Sequence, residues 1–112
     1  MTDASRYDMT AFDAAFSSLP LVAILRGVKP DEVEPIARTL YGEGFRLIEV
    51  PLNSPEPFES IARLAGALPQ DAVVGAGTVI DPADVARVKD AGGRLIVMPH
   101  GDVTVILSLI HI

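Results

Sequence analysis

The sequence predicts a parallel α/β fold assembled from repeated βα units, and three observations lead there. Four short apolar runs read as strands: LVAIL at 21–25, RLIEV at 46–50, AVVG at 72–75 and LIVM at 95–98. The segments between them carry apolar residues at helical spacing. The alternation recurs at roughly 22 to 26 residues. Strands without a polar face, alternating with amphipathic helices, belong to a parallel sheet covered by helices.

Each element has its own signal. Residues 1–9 are polar and are expected to be disordered. Thr10 is placed to cap a short helix over 11–18, with Phe12 and Phe16 on one face. Pro20 ends it, and the first strand follows. Arg26-Gly27 closes that strand. A helix over 30–43 comes next, with Val33, Ile36, Ala37 and Leu40 as its apolar stripe. Pro30 suits a first helical position, whereas Pro35 removes an early backbone hydrogen bond. Gly44 ends the helix, because glycine readily takes the left-handed conformation there.

The pattern then repeats. After the second strand, residues 55–68 form a helix with Phe58, Ile61, Ala62 and Ala65 on one side. After the third, Asp81 is a good N-cap and Pro82 a good first helical residue. Val85, Ala86 and Val88 give this helix its stripe, and Gly92-Gly93 stops it ahead of the fourth strand. Two architectures accommodate four such units. One is a small open doubly wound sheet. The other is a (β/α)8 barrel, which takes about 200 to 250 residues. A chain of 112 residues would hold its first half.

Composition excludes several functions. Nearly half the residues are apolar, enough for one modest core. A net charge of −6 argues against nucleic acid and anionic membrane surfaces as partners. There is no cysteine and there are only two histidines, so a disulfide framework or a Cys/His metal site is not expected. No signal peptide opens the chain and no uncharged run is long enough to span a membrane, so a cytoplasmic protein is expected.

In either architecture the site lies at the C-terminal ends of the strands. Those ends are Arg26-Gly27, Glu49 with Asn53, Gly75-Ala76-Gly77-Thr78, and Met98-Pro99-His100. Together they supply a cation, a carboxylate, and a hydroxyl beside backbone N–H groups. That set suits a small anionic substrate and a proton transfer. Glu49 raises the sharpest question, since a carboxylate in an apolar strand needs a partner or a reaction. It could be the ion-pair partner of Arg26 or Arg46, or an acid/base. Arg26 could cap a loop. GAGT lacks the third glycine of a dinucleotide site, so its glycines read first as a tight turn. Thr78 reads equally as a cap residue or a ligand, and His100 as a loop residue. Lys29 and Lys89 are the only lysines; Lys89 lies on a helix, and Lys29 follows the first strand.

Four stretches carry a resemblance: LPLVAILRGVKPDE, GFRLIEVPLNSPEPFESI, VVGAGTVIDPADV and AGGRLIVMPHGDV. In this order and spacing, over 19–106, they resemble the first half of the 2-keto-3-deoxy-6-phosphogluconate and -phosphogalactonate aldolases. ILRG and PLNSP resemble the phosphogalactonate branch; the gluconate branch typically has an arginine where Asn53 stands and none at Arg26. The resemblance implies a (β/α)8 barrel, here a half barrel of about four βα units behind a short N-terminal helix. It implies class I aldol cleavage through a lysine Schiff base, with pyruvate and glyceraldehyde 3-phosphate as products. It makes Glu49 the proton-shuttling acid/base, and Arg26 and Thr78 the binders of the substrate's carboxylate end. It implies no metal or dissociable cofactor, and a homo-oligomer, often a trimer.

The family's Schiff-base lysine stands on a later strand, in a K-[LFI]-F-P context that is absent here, as is its glycine-rich phosphate site. The expected organisation is therefore a barrel half over 10–106 that is inactive by itself. The tail LSLIHI, 107–112, departs from the family pattern, and CTG-TCT-CTT-ATA-CAC-ATC, a transposon-end adaptor, encodes those six residues. The tail is expected to be non-native. Half a barrel should also leave two open sheet edges and uncovered apolar faces, making the chain marginal alone or prone to self-association. The alternatives are a small-anion-binding α/β module without lysine chemistry and another phosphate-handling barrel enzyme.

Overall fold

The computed structural model describes residues 9–111, without the side chain of residue 111. The disorder expected over 1–9 thus falls almost wholly outside the described residues. The elements run α1 (Thr10–Ser18), β1 (Val22–Ile24), α2 (Pro30–Gly42), β2 (Leu47–Pro51), α3 (Pro57–Ala67), β3 (Val73–Gly77), α4 (Pro82–Asp90) and α5 (Val103–His111).

The strands are parallel and lie in the order β1-β2-β3. Spatial order equal to chain order, with the connecting helices sharing one core, is the arc of a barrel. A doubly wound sheet would reverse its order partway. Of the two architectures left open by periodicity, the barrel type is the one observed. The outward strand residues Ile48, Val50, Val74 and Ala76 form one core with Val33 and Ala37 of α2, Ile61 and Leu64 of α3, and Val85 and Val88 of α4. On the inner face, Leu47 and Val73 are covered by Ala15 and Phe12 of α1. The N-terminal helix therefore plugs one end of the arc and leaves the other end for the site.

The local signals account for most boundaries. Gly44 takes φ +105° after α2. Its N–H donates to the Tyr41 carbonyl and that of Phe45 to the Leu40 carbonyl, the paired bonds of a Schellman stop. Asp81 caps α4, its carboxylate accepting from the Ala83 N–H at 2.9 Å. Phe12 and Phe16 stack at 5.9 Å on α1, although Thr10 is the first helical residue and not the cap. The third helix starts at Pro57 and not at residue 55. A proline keeps its predecessor out of the right-handed helical region, and Glu56 sits at φ 45°.

Some expectations change. The fourth strand reduces to one parallel bridge, Ala76 to Ile96, flanked by bonds from the Arg94 N–H to Val74 and from the Val97 N–H to Ala76. Among the described residues no further strand pairs with its other side, so nothing extends the ladder. Ile36, Ala62 and Ala86, expected on apolar stripes, are exposed. The buried stripe of α3 runs through Ile61 and Leu64. Helix α5 has its own cap: Asp102 accepts from the Thr104 and Val105 N–H groups, and Val105 is buried. On the first edge strand, Val22 and Ile24 are 42% and 56% exposed, as an uncovered inner face requires.

The plugged end carries a polar knot. The Tyr41 hydroxyl donates to Asp71 at 2.6 Å, Arg46 donates to the same carboxylate at 3.2 Å, and its guanidinium lies 3.8 Å over the Tyr41 ring. The Tyr41 bond, first, and the Arg46 charge hold the Asp71 carboxyl below its ordinary 3.8. A depressed native pKa gives stability that is present above the unfolded value and lost as pH falls through the native one. Asp71→Asn should therefore lower the urea midpoint at pH 7, and the gap from wild type should close as pH drops below 3.8. An equal gap at pH 7 and pH 2 would show that the charge contributes nothing.

Candidate active site

Glu49 lies in the middle of β2, paired with Ile24 of β1 and Gly75 of β3. Strand alternation turns it inward, between Leu47 and Pro51, while Ile48 and Val50 turn to the helices. It is only 4% exposed, and its Oε2 is buried without a hydrogen-bond partner. Burial raises its carboxyl pKa above the ordinary 4.5; the Arg26 charge opposes this without cancelling it. Arg46 is committed to Asp71, which removes it as a partner for Glu49. Arg26 forms no salt bridge among the described residues, so its influence on Glu49 acts across a longer gap. A carboxyl with a raised pKa and an unused oxygen is equipped to hold or release a proton.

The other strand ends lie at the same end of the parallel sheet. Arg26 follows β1 and is exposed, and it makes no ion pair among the described residues. Thr78 follows β3 at φ +55°, half-buried. A β-branched residue in that region is strained by about 1–3 kcal/mol, and such strain concentrates where backbone direction matters for function. The Leu52 N–H donates to the Gly77 carbonyl at 2.9 Å, which ties the end of β2 to the end of β3. Among the described residues no hydrogen bond or ion pair joins Thr78 to Glu49 or Arg26; the three share an end of the sheet. Asn53 is exposed on the loop after β2. His100 is exposed and faces Asp102 at 3.9 Å, a loop residue as expected. Lys89 is exposed on α4, and Lys29 immediately precedes α2.

Ser54 is the residue that sequence reasoning missed. It is 6% exposed, and its hydroxyl accepts the Gly27 N–H at 3.0 Å. That bond joins the loop carrying Arg26 to the loop following Glu49, across 27 residues. Gly27 itself sits at φ +77°. The only local signal was a small hydroxyl residue in a Pro-rich loop behind a buried strand. Among the described residues, no group of three His, Asp or Glu could hold a metal ion. Among the described residues no helix is long and apolar enough to cross a membrane.

This geometry has relatives. A probable 2-dehydro-3-deoxy-6-phosphogalactonate aldolase of Rhizobium meliloti (strain 1021) is 49% identical over 87 residues, 78% of this chain and 41% of that protein. A solved KDPGal structure superposes with a TM-score of 0.80 at 40% identity, covering 83% of this chain and 45% of that one. The KDPG aldolase of Legionella pneumophila, with pyruvate captured at low pH as a covalent carbinolamine, superposes with a TM-score of 0.76 at 26% identity, covering 84% and 45%. The chain spans about two fifths of the length of the curated relative. The family model described as KDPG and KHG aldolase matches residues 12–108. A match over nearly the whole chain, on a barrel arc with this strand order, places the chain in the KDPG and KHG aldolase family.

Proposed function

We propose that this segment is the N-terminal half of a class I aldolase that cleaves 2-dehydro-3-deoxy-6-phosphogalactonate to pyruvate and glyceraldehyde 3-phosphate. One observation carries the reading: Glu49 is a buried, unpaired carboxylate on the inner face of a chain from an aldolase family. The galactonate epimer is supported by the Rhizobium relative and by the occurrence of both Arg26 and Asn53 in the sequence.

In this mechanism a lysine outside the segment condenses with the C2 keto group and releases water. The resulting iminium accepts the electron pair of the C3–C4 bond as that bond breaks. The C4 hydroxyl becomes an aldehyde and loses its proton to Glu49. The enamine is then protonated at C3 by the same carboxyl and hydrolysed to pyruvate. One group thus takes and returns one proton, which is why a raised pKa suits it. Arg26 and Thr78 hold the substrate carboxylate, the guanidinium through two parallel hydrogen bonds. Ser54 keeps the Arg26 loop in register with Glu49. The chemistry requires no metal or dissociable cofactor. The parent is a cytoplasmic homo-oligomer in this reading, and residues 10–106 are the part that belongs to it.

Borohydride reduction with pyruvate tests the assignment. This chain should trap no stoichiometric adduct, since neither Lys29 nor Lys89 serves as the nucleophile. A full-length protein containing the segment should trap one per subunit, at a lysine C-terminal to the part matching residues 10–106. Specific labelling of Lys29, located by peptide mapping, would refute the placement of the nucleophile outside the segment.

A further inference from the structure

Glu49 is held in place without a hydrogen bond. Its Oε2 has no partner, and Arg26 makes no salt bridge to it. A glutamate side chain left free in this way would sample several rotamers. Something else must confine it, and the neighbouring strand supplies the means.

The inward positions of β3 beside and beyond Glu49 are glycines. Gly75 is its register partner, and Gly77 faces Pro51 one step further on. The two glycines are needed for different reasons. A Cβ on Gly75 would collide with the backbone carbonyl of Leu95. A Cβ on Gly77 would fall inside the Glu49 carboxylate, meeting Oε2 and Cδ, with Oε1 at 2.6 Å. Gly77 is not required by its backbone, since it is not among the glycines with positive φ. Gly27 is the opposite case: φ +77° and nothing within 4 Å of its added Cβ. At position 77 glycine answers to space alone.

We propose that Gly77 is a positioning residue for Glu49: the place its side chain would fill is the slot that holds the carboxylate against β3, inside the site. This rests on the reading of Glu49 as the acid/base. Shape does here what hydrogen bonds do elsewhere, and it leaves the lone pairs of Oε2 free for a substrate proton. The two glycines should also respond differently to substitution. At Gly75 the obstacle is backbone, which cannot move without breaking the sheet. At Gly77 the obstacle is the far end of a flexible side chain, which can swing away. Gly77→Ala should therefore leave the chain folded and evict the carboxylate toward solvent.

The test is a titration of this chain labelled with 13C at the glutamate side-chain carboxyls, followed by NMR. In the wild type, Glu49 should titrate above 4.5, raised by burial and opposed, among the described residues, by the charge of Arg26. In Gly77→Ala its midpoint should fall back toward 4.5, because a solvated carboxylate loses its desolvation penalty. Gly66→Ala, which adds a methyl where nothing lies within 4 Å, should leave the midpoint unmoved. A Gly77→Ala midpoint equal to the wild type would overturn the slot. If Gly77→Ala fails to fold, the double variant Glu49→Ala/Gly77→Ala decides. Folding like Glu49→Ala alone supports the slot, because the clash partner is gone; failure of the double variant overturns it. The titration reports where the carboxylate lies and the Glu49→Gln assay reports what it does, so the slot and the acid/base role fail separately.

Discussion

Glu49→Gln, in a full-length enzyme containing this segment, is expected to lower kcat by about 100-fold or more, with a much smaller change in KM. The amide keeps the shape of the carboxyl but cannot take a proton from the C4 hydroxyl. General acid–base catalysis contributes about 10²- to 10⁴-fold, and the loss should appear in kcat because the proton moves only in the transition state. The same substitution should raise stability at neutral pH. Burial raises the native carboxyl pKa above its ordinary 4.5, so the native state binds the proton more tightly than the unfolded chain. The protein then loses stability as pH rises from the unfolded value through the native one, and above that the full desolvation penalty applies. Glutamine has no charge to desolvate and should abolish that pH-dependent component. Urea midpoints of both proteins at pH 4 and pH 8 check this. If Glu49→Gln kept nearly full activity, Glu49 would be a structural residue and the acid/base role would go to another group.

Arg26→Lys in the same enzyme should reduce kcat/KM for 2-keto acid substrates by about tenfold to a hundredfold, although the charge is kept. Arg26 is exposed at the end of β1 and free of ion pairs among the described residues, so its guanidinium is available to a substrate carboxylate. A planar guanidinium offers two parallel donors to a carboxylate; an ammonium is a point charge that cannot match them. A charge-assisted contact of this kind is worth about 1.5 to 3 kcal/mol. The penalty should shrink for a ketone or aldehyde donor without the carboxylate, since Arg26 would then have nothing to hold. Equal losses on both substrate types would show that Arg26 orients Glu49 or braces its loop.

The repeating units were legible because their signals are local. Pro82 behind Asp81, Gly44 behind a helical stripe, and apolar runs of four or five residues each act within one turn or one strand. Ser54 was not legible, because its hydroxyl meets Gly27 only after the two loops are brought side by side. The fourth strand was over-read. Its residues are apolar and bond to β3, but only Ile96 forms a bridge there, and among the described residues no strand pairs with its other side. Ala62 was placed on the wrong face of its helix, since which face of α3 is buried depends on how the helix settles against β2 and β3.

The sequence by itself determined the class of fold, the order of its elements, and the carboxylate that does not belong in an apolar strand. Periodicity alone left an open sheet and a barrel arc both standing; the resemblance of four stretches implied the barrel, and the strand order of the tertiary structure bears it out. Periodicity sets the content of each βα unit, whereas handedness and packing set which strand lies next to which. The state of Glu49 was decided there too. A buried carboxylate has a high or a low pKa according to what surrounds it, and here that is a glycine-lined strand on one side, the distant charge of Arg26, and no hydrogen bond to Oε2. Those surroundings come from segments about 23 to 28 residues away in the chain, and only folding brings them within reach of the carboxyl.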